Sequence, residues 1–196
     1  MAEISHSLAR EYLIYTLFTP FDLGGNTPLK ERTKDMIKIL FICWGNICRS
    51  PMAEFILKDM VNKRGIAGEF LIESAATSDE ECWNGHGNPV YPQAQAELKK
   101  HGIGTPDNEL GLSAKRARQL TRREYGDWDH IIAMENTNVK WIFRIIGDDP
   151  DGKVCRLLDY TDRPEDIADP WYSGDFKGVY GQITRGCEAF LAELGY

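Results

Sequence analysis

The 196-residue chain has little positive charge to offer a polyanion. Its 23 Lys and Arg are outnumbered by 30 Asp and Glu, giving a formal net charge of -7. Nucleic-acid binding rests on clustered Lys and Arg. The one basic cluster, residues 115–123, has the spacing of a solvated helical face, so no nucleic-acid partner is expected. Long apolar runs are also missing. The apolar stretch 12–18 is far too short to span a bilayer. It lacks the basic flank and small-residue cleavage site of a secretory signal, so neither a membrane span nor export is expected. The five cysteines, at 43, 48, 82, 155 and 187, are odd in number. That favours reduced thiols in a cytoplasmic setting over a disulfide scaffold. No Gly-Lys-Ser/Thr follows a glycine-rich turn, which excludes a P-loop NTPase. Cys43 and Cys48 have no second ligand pair at zinc-finger spacing, so no metal or other cofactor is expected.

What is present suits one domain with an appendage. With 42% hydrophobic and 27% charged residues there is ample material for a core. Residues 1–35 hold a short helical candidate at 5–18, then a Pro- and Gly-punctuated stretch that reads as a linker. This leader is either an upstream-start artefact or a regulatory arm. From residue 36 to 196 strand and helix patterns alternate. Strands are expected at 38–43, 70–74, 130–134 and 154–158, and helices at 51–64, 91–101, 136–146 and 176–194. This alternation predicts an α/β fold in three α/β/α layers, with a central four-stranded parallel sheet and helices on both faces.

The chemistry concentrates in the loop after the first strand, "CWGNICRS" at residues 43–50, which runs into a helix led by Pro51. In an open α/β sheet, ligands bind at the carboxyl ends of the strands. A helix N-terminus there aims unpaired N–H groups and positive dipole potential at the loop. Gly45 permits backbone conformations closed to other residues, and Asn46 tolerates the left-handed region while its amide braces the loop. Together they predict a concave nest for a tetrahedral oxyanion. Arg49 adds a planar fork able to hold two phosphate oxygens at once. Cys43 stands at the mouth of the same field, where a helix N-terminus and a cation favour the nucleophilic thiolate. Ser50 is placed to donate to that sulfur. A cysteine at a strand end is by itself an ordinary small hydrophobe. The whole segment, between a buried strand and a helix, points instead to a loop that binds phosphate and attacks it.

On these residues the sequence resembles the low-molecular-weight protein tyrosine phosphatase family. The likeness runs in order through "CWGNICRSPMAE" (43–54), "ESAATS" (73–78), "HGI" (101–103), "ARQLT" (117–121), "IIAMENTN" (131–138) and "DPWY" (169–172). It implies a phosphate loop after the first strand, with Cys43 as nucleophile, Arg49 as oxyanion clamp and Asp169 as general acid. The loop positions Trp44, Gly45, Asn46, Ile47, Cys48 and Ser50 would hold phosphate and substrate, with Asn46, Ser50 and Ser74 bracing the loop. Pro170 independently disfavours the helical region at Asp169, which lets that side chain project from a loop.

The implied reaction forms a phosphocysteine, which water then hydrolyses, with no cofactor. Trp83, Trp171 and Tyr172, with Trp44, are expected to wall a slot deep enough for phosphotyrosine and too deep for phosphoserine. Ile47 points the same way, since related arginine phosphatases tend to carry threonine there. The resemblance also implies a reversible disulfide between Cys48 and Cys43 that protects the nucleophile. Phosphotyrosine proteins are the expected partners, with phosphate as product and inhibitor and the chain a monomer or weak dimer. Glu135 stands where the family commonly has Asp, and Lys115 where many relatives have His. Segments 79–89 and 104–113 look longer than the pattern. An arsenate reductase on the same fold, with Cys82 as a redox thiol, and a phosphate-binding adaptor module remain as alternatives.

Overall fold

Alternation along the first strand decides how the layers form. In β1 (Ile37–Cys43) the side chains of Ile39, Phe41 and Cys43 enter one buried cluster, while Leu40 and Ile42 enter another. Successive strand residues point to opposite faces, so a strand apolar at every position from Ile39 to Cys43 must be covered on both. The computed structural model describes residues 36–83 and 86–196. The helical candidate at 5–18 and the rest of the leader lie outside the described residues.

Strands β2 (Phe70–Ala76), β3 (His130–Ala133) and β4 (Val154–Arg156) complete a four-stranded sheet of order β2-β1-β3-β4. All pairings are parallel, with Ile42 of β1 beside Ala75 of β2 and Ala133 of β3. This is the three-layer α/β/α architecture expected. Helices α1 (Arg49–Lys63), α2 (Pro92–Lys100) and α5 (Phe176–Glu193) cover the larger cluster, which contains Phe55, Leu98 and Phe190. Helix α3 (Asn136–Ile146) covers the other face through Ile142 and Ile146. Among the described residues no helix is long and apolar enough to cross a membrane.

Boundaries differ from the sequence reading in places that matter. Helix α1 begins at Arg49 rather than Pro51, so both Arg49 and Ser50 belong to its first turn. A proline costs nothing there, because first-turn N–H groups have no intrahelical partner. β2 extends two residues past Ser74, to Ala76, alongside Cys43. The fourth strand stops at Arg156, where the chain tightens into a 3-10 turn at Leu157–Tyr160. Asp159 closes that turn by accepting from the Arg156 N–H (2.9 Å), which tucks Leu157 and Leu158 into the core. A short helix α4 (Pro170–Ser173) was not expected from the sequence.

Because β1 is central, its loop opens between β2 and β3, where the chain departs to opposite sides of the sheet. That is the crevice in which doubly wound sheets place ligands. Phe41, fully buried on the larger face, shares one core cluster with Phe55 of α1 and Phe190 of α5. Phe41→Ala is expected to cost about 3–5 kcal/mol of stability, read from urea midpoints at unchanged m-value. A loss below about 1 kcal/mol would contradict this packing.

Candidate functional site

Two residues set the shape of the loop at 43–50, Asn46 as expected and Gly45 differently from the expectation. The left-handed position is taken by Asn46, with φ 56°, and not by Gly45. Gly45 instead lets Glu81 approach the loop closely. A Cβ there would stand 3.0 Å from Cγ of Glu81, which lies across the loop. Asn46 is held in its unusual conformation by its own amide. Its Nδ2 donates to Ser74 Oγ (2.7 Å) and Ser50 Oγ (2.9 Å), and its Oδ1 accepts from the Arg118 N–H (3.2 Å).

The bracing continues into a buried ion cluster. Ser74 Oγ donates to Glu54 Oε2 (2.6 Å), and Glu54 is paired with Lys115 (2.7 Å) and Lys58 (2.6 Å). Lys115 Nζ also donates to the Ser74 carbonyl (3.0 Å). Burial alone would push the Glu54 carboxyl up, but the two lysines outweigh it and hold it below the usual carboxylate value. Burial pulls Lys115 below the ordinary lysine value, against the pull of Glu54. Lys115 thus supports the loop at 43–50 through Glu54 and Ser74.

The thiol of Cys43 ends β1 at the bottom of the loop. Its Sγ lies 3.0 Å from Ser50 Oγ and accepts from the Asn46 N–H at 3.3 Å. Arg49, only 2% exposed, reaches across from α1. One guanidinium nitrogen donates to the Ile167 carbonyl (2.9 Å), and the other meets Asp169 Oδ2 (2.5 Å) and Glu135 Oε1 (2.9 Å). Burial works against the arginine charge, but Cys43, Asp169 and Glu135 more than offset it and raise its pKa. Asp169 is extended (φ -80°, ψ 115°), as the following proline demands. It caps α4 by accepting from the Trp171 N–H (3.0 Å), which leaves Oδ2 turned toward Arg49.

These groups line a cavity of about 270 Å³. Cys43, Cys48 and Arg49 form its floor, Trp44, Ile47, Trp171 and Tyr172 supply its apolar walls, and Glu80, Glu81 and Asp169 its remaining charge. Burial, aided by the neighbouring Cys43 and Asp169, pushes Cys48 up to about 12, so it stays a neutral thiol. Trp44 is fixed from both sides: its indole N–H donates to Glu80 (2.9 Å), and its ring meets Trp141 edge-on at 5.5 Å. Tyr91 supports Trp171 at 5.1 Å. Trp83 does not join the wall; it is 55% exposed and outside the cavity lining. Asn46, Ser50 and Ser74 stand behind the loop and do not face the cavity.

Sequence reasoning missed the rim role of Glu80 and Glu81, the Glu135 pairing and the support from Tyr91 and Trp141. The only available signal was the acidic run before Trp83.

An open parallel sheet that brings a thiol and a buried arginine together at its switch point defines a class of α/β proteins with a cysteine loop at the carboxyl ends of the strands. Within that class the chain belongs to the low molecular weight phosphotyrosine protein phosphatase family, whose model matches residues 38–196. It is 37% identical over 161 residues to the low molecular weight protein-tyrosine-phosphatase YfkJ of Bacillus subtilis, covering 81% of this chain and 96% of that one. The human low molecular weight phosphotyrosine protein phosphatase is 35% identical over 161 residues, with 78% and 92% covered. The crystal structure of YfkJ superposes with a TM-score of 0.73 over 82% of this chain and 96% of that one, at 36% identity. That of a Drosophila arginine phosphatase superposes at 0.69 over 82% and 99%, at 31% identity. The arsenate-reductase alternative is not favoured, and Cys155 and Cys187 both lie outside the cavity lining.

Glu54 carries two testable consequences. Its depressed folded pKa contributes stability that is complete above the unfolded value of 4.5 and lost as pH falls through the lower folded value. Acid denaturation of wild type is expected to steepen in that window, and Glu54→Gln to flatten it. At neutral pH Glu54→Gln, which strips Lys115 of its anion, is expected to cost about 3 kcal/mol in chemical denaturation.

Proposed function

We propose that the protein hydrolyses phosphotyrosine on proteins, and small aryl phosphates, through a phosphocysteine intermediate. One observation carries the reading: Cys43, Arg49 and Asp169, spread over 126 residues of sequence, meet in one cavity. In the first step Cys43, as thiolate, attacks phosphorus in line, the P–S bond forms and the bond to the tyrosyl oxygen breaks. Protonated Asp169 gives its proton to the leaving phenolate, and such a positioned acid is worth about 10²–10⁴-fold. In the second step Asp169 takes a proton from water, which attacks phosphorus and releases phosphate and the cysteine sulfur. The Ser50 hydroxyl and Asn46 N–H, 3.0 and 3.3 Å from Sγ, stabilise that sulfur as an anion whenever it is free.

Arg49 clamps the equatorial oxygens, and the first-turn N–H groups of α1 complete the nest. A loose phosphoryl transition state is stabilised chiefly by such positioned charge. The phosphoryl oxygens take over the guanidinium fork now held by Asp169 and Glu135, which frees Asp169 to serve as acid.

The substrate class follows from the walls. Trp44, Ile47, Trp171 and Tyr172 make a slot for a flat aromatic ring between floor and solvent. A phosphoserine side chain is too short to fill it. Ile47 offers no polar group to a guanidino nitrogen, which favours the phenyl ring over phosphoarginine. Residues 36–196 are proposed as the phosphatase domain and 1–35 as an extension to it. Reduced thiols and phosphoprotein substrates suit a cytoplasmic setting, with phosphate as product and inhibitor.

The test is turnover of p-nitrophenyl phosphate in the presence of a chelator. Wild type is expected to retain full activity, Cys43→Ser to lose it, and Asp169→Ala to drop kcat by about 10²–10⁴-fold. Peptides bearing phosphotyrosine are expected to be cleaved in preference to phosphoserine and phosphoarginine ones. Undiminished turnover in Cys43→Ser would refute the mechanism, and preference for phosphoarginine the substrate assignment.

A further inference from the structure

The mouth of the cavity carries an electrostatic pattern that the proposed chemistry does not need. Among the described residues Arg49 is the one cation in the lining, and it sits buried at the floor. Above it stand Glu80 and Glu81, placed by the chain itself. The N–H groups of Thr77 and Ser78 donate to the carbonyls of Cys43 and Trp44, both at 2.9 Å, so the segment leaving β2 runs over the phosphate loop. Each carboxylate is then pinned by a neutral donor. Trp44 Nε1 donates to Glu80 Oε2 (2.9 Å) and Asn88 Nδ2 to Glu81 Oε2 (2.5 Å). Gly45 leaves the space that Glu81 occupies over the loop. Among the described residues neither carboxylate has an ion-pair partner. Two anions are therefore held in fixed positions at the entrance with their charge unpaired among the described residues.

Fixed, uncompensated charge at the rim of an interface discriminates between partners more than it adds affinity. A phosphotyrosine seated on Arg49 projects its peptide backbone past this rim. Acidic neighbours would meet Glu80 and Glu81 as like charges, and basic ones would find the counter-ions that the protein withholds. We propose that Glu80 and Glu81 are specificity-determining residues that select phosphotyrosine flanked by Lys or Arg. This rests on the phosphotyrosine reading above, and it extends that reading from the phosphoryl group to the sequence around it.

Binding tests it apart from catalysis. Two phosphotyrosine peptides, identical except for Lys/Arg or Asp/Glu flanks, are titrated into the full-length Cys43→Ser protein at low and at high salt. The basic peptide is expected to bind about tenfold tighter at low salt, the sum of two partly exposed ion pairs, with the gap closing as salt is added. Adding Glu80→Gln and Glu81→Gln is expected to bring the two peptides to within about twofold. Glu188→Gln with Glu193→Gln, the same charge change on exposed α5 positions outside the lining, is expected to leave the gap intact. Equal affinities in the parent protein, a gap that survives the rim substitutions, or an equal loss in the α5 control would each overturn the proposal. Failure of wild type to turn over p-nitrophenyl phosphate would instead count against the chemistry.

Discussion

A fully charged arginine buried to 2% exposure is the constraint around which this molecule is arranged. Taking a guanidinium out of water costs several kcal/mol unless its hydrogen bonds and charge are answered. Arg49 is answered from three places: Glu135 after β3, the Ile167 carbonyl, and Asp169 at the start of α4. Each lies more than 80 residues away in sequence. Satisfying one side chain therefore fixes the helix bearing the loop, the end of a neighbouring strand and the segment carrying the proposed acid. The desolvation that makes Arg49 expensive also strengthens its field at the cavity floor, where a phosphoryl group would develop charge.

The loop around it is held by a second set of contacts that stays out of the cavity. Asn46 accepts a left-handed backbone because its amide finds Ser50, Ser74 and the Arg118 N–H. Ser74 in turn rests on Glu54, between Lys115 and Lys58. Strain in the loop is thus offset by polar groups buried behind it, which hold its shape without any contact from the cavity side. Preformed donors avoid a reorganisation cost when charge moves, which is what a phosphoryl-transfer site needs.

Much of this architecture was legible in the sequence. The apolar first strand, the alternation of strands and helices, and the thiol, asparagine and arginine of one short loop were each local signals. So was Pro170, whose backbone preference is visible in the extended Asp169. Expectations slipped where tertiary contacts override local preference. Pro51 marked a helix start, yet α1 begins two residues earlier, at Arg49, whose side chain pairs with Glu135 and Asp169 far along the chain. Gly45 suggested a glycine-only conformation, yet it is the approach of Glu81 that needs the missing side chain. Trp83 looked like a pocket wall beside an acidic run, and it is the acids that line the pocket.

What the sequence by itself determined is the periodic apolar pattern, and hence a covered parallel sheet, and the chemical character of the loop after its first strand. Both are properties of near neighbours in the chain, which spacing records. The fold alone decided which distant groups meet. Nothing local to Asp169, Glu135 or Glu80 says that each will face a loop 30 or more residues upstream. Their partners were chosen by the sheet order β2-β1-β3-β4, which carries the ends of separate strands to one edge. Parallel strands release their connecting loops at the same end of the sheet, so residues far apart in the chain are brought to a single crevice.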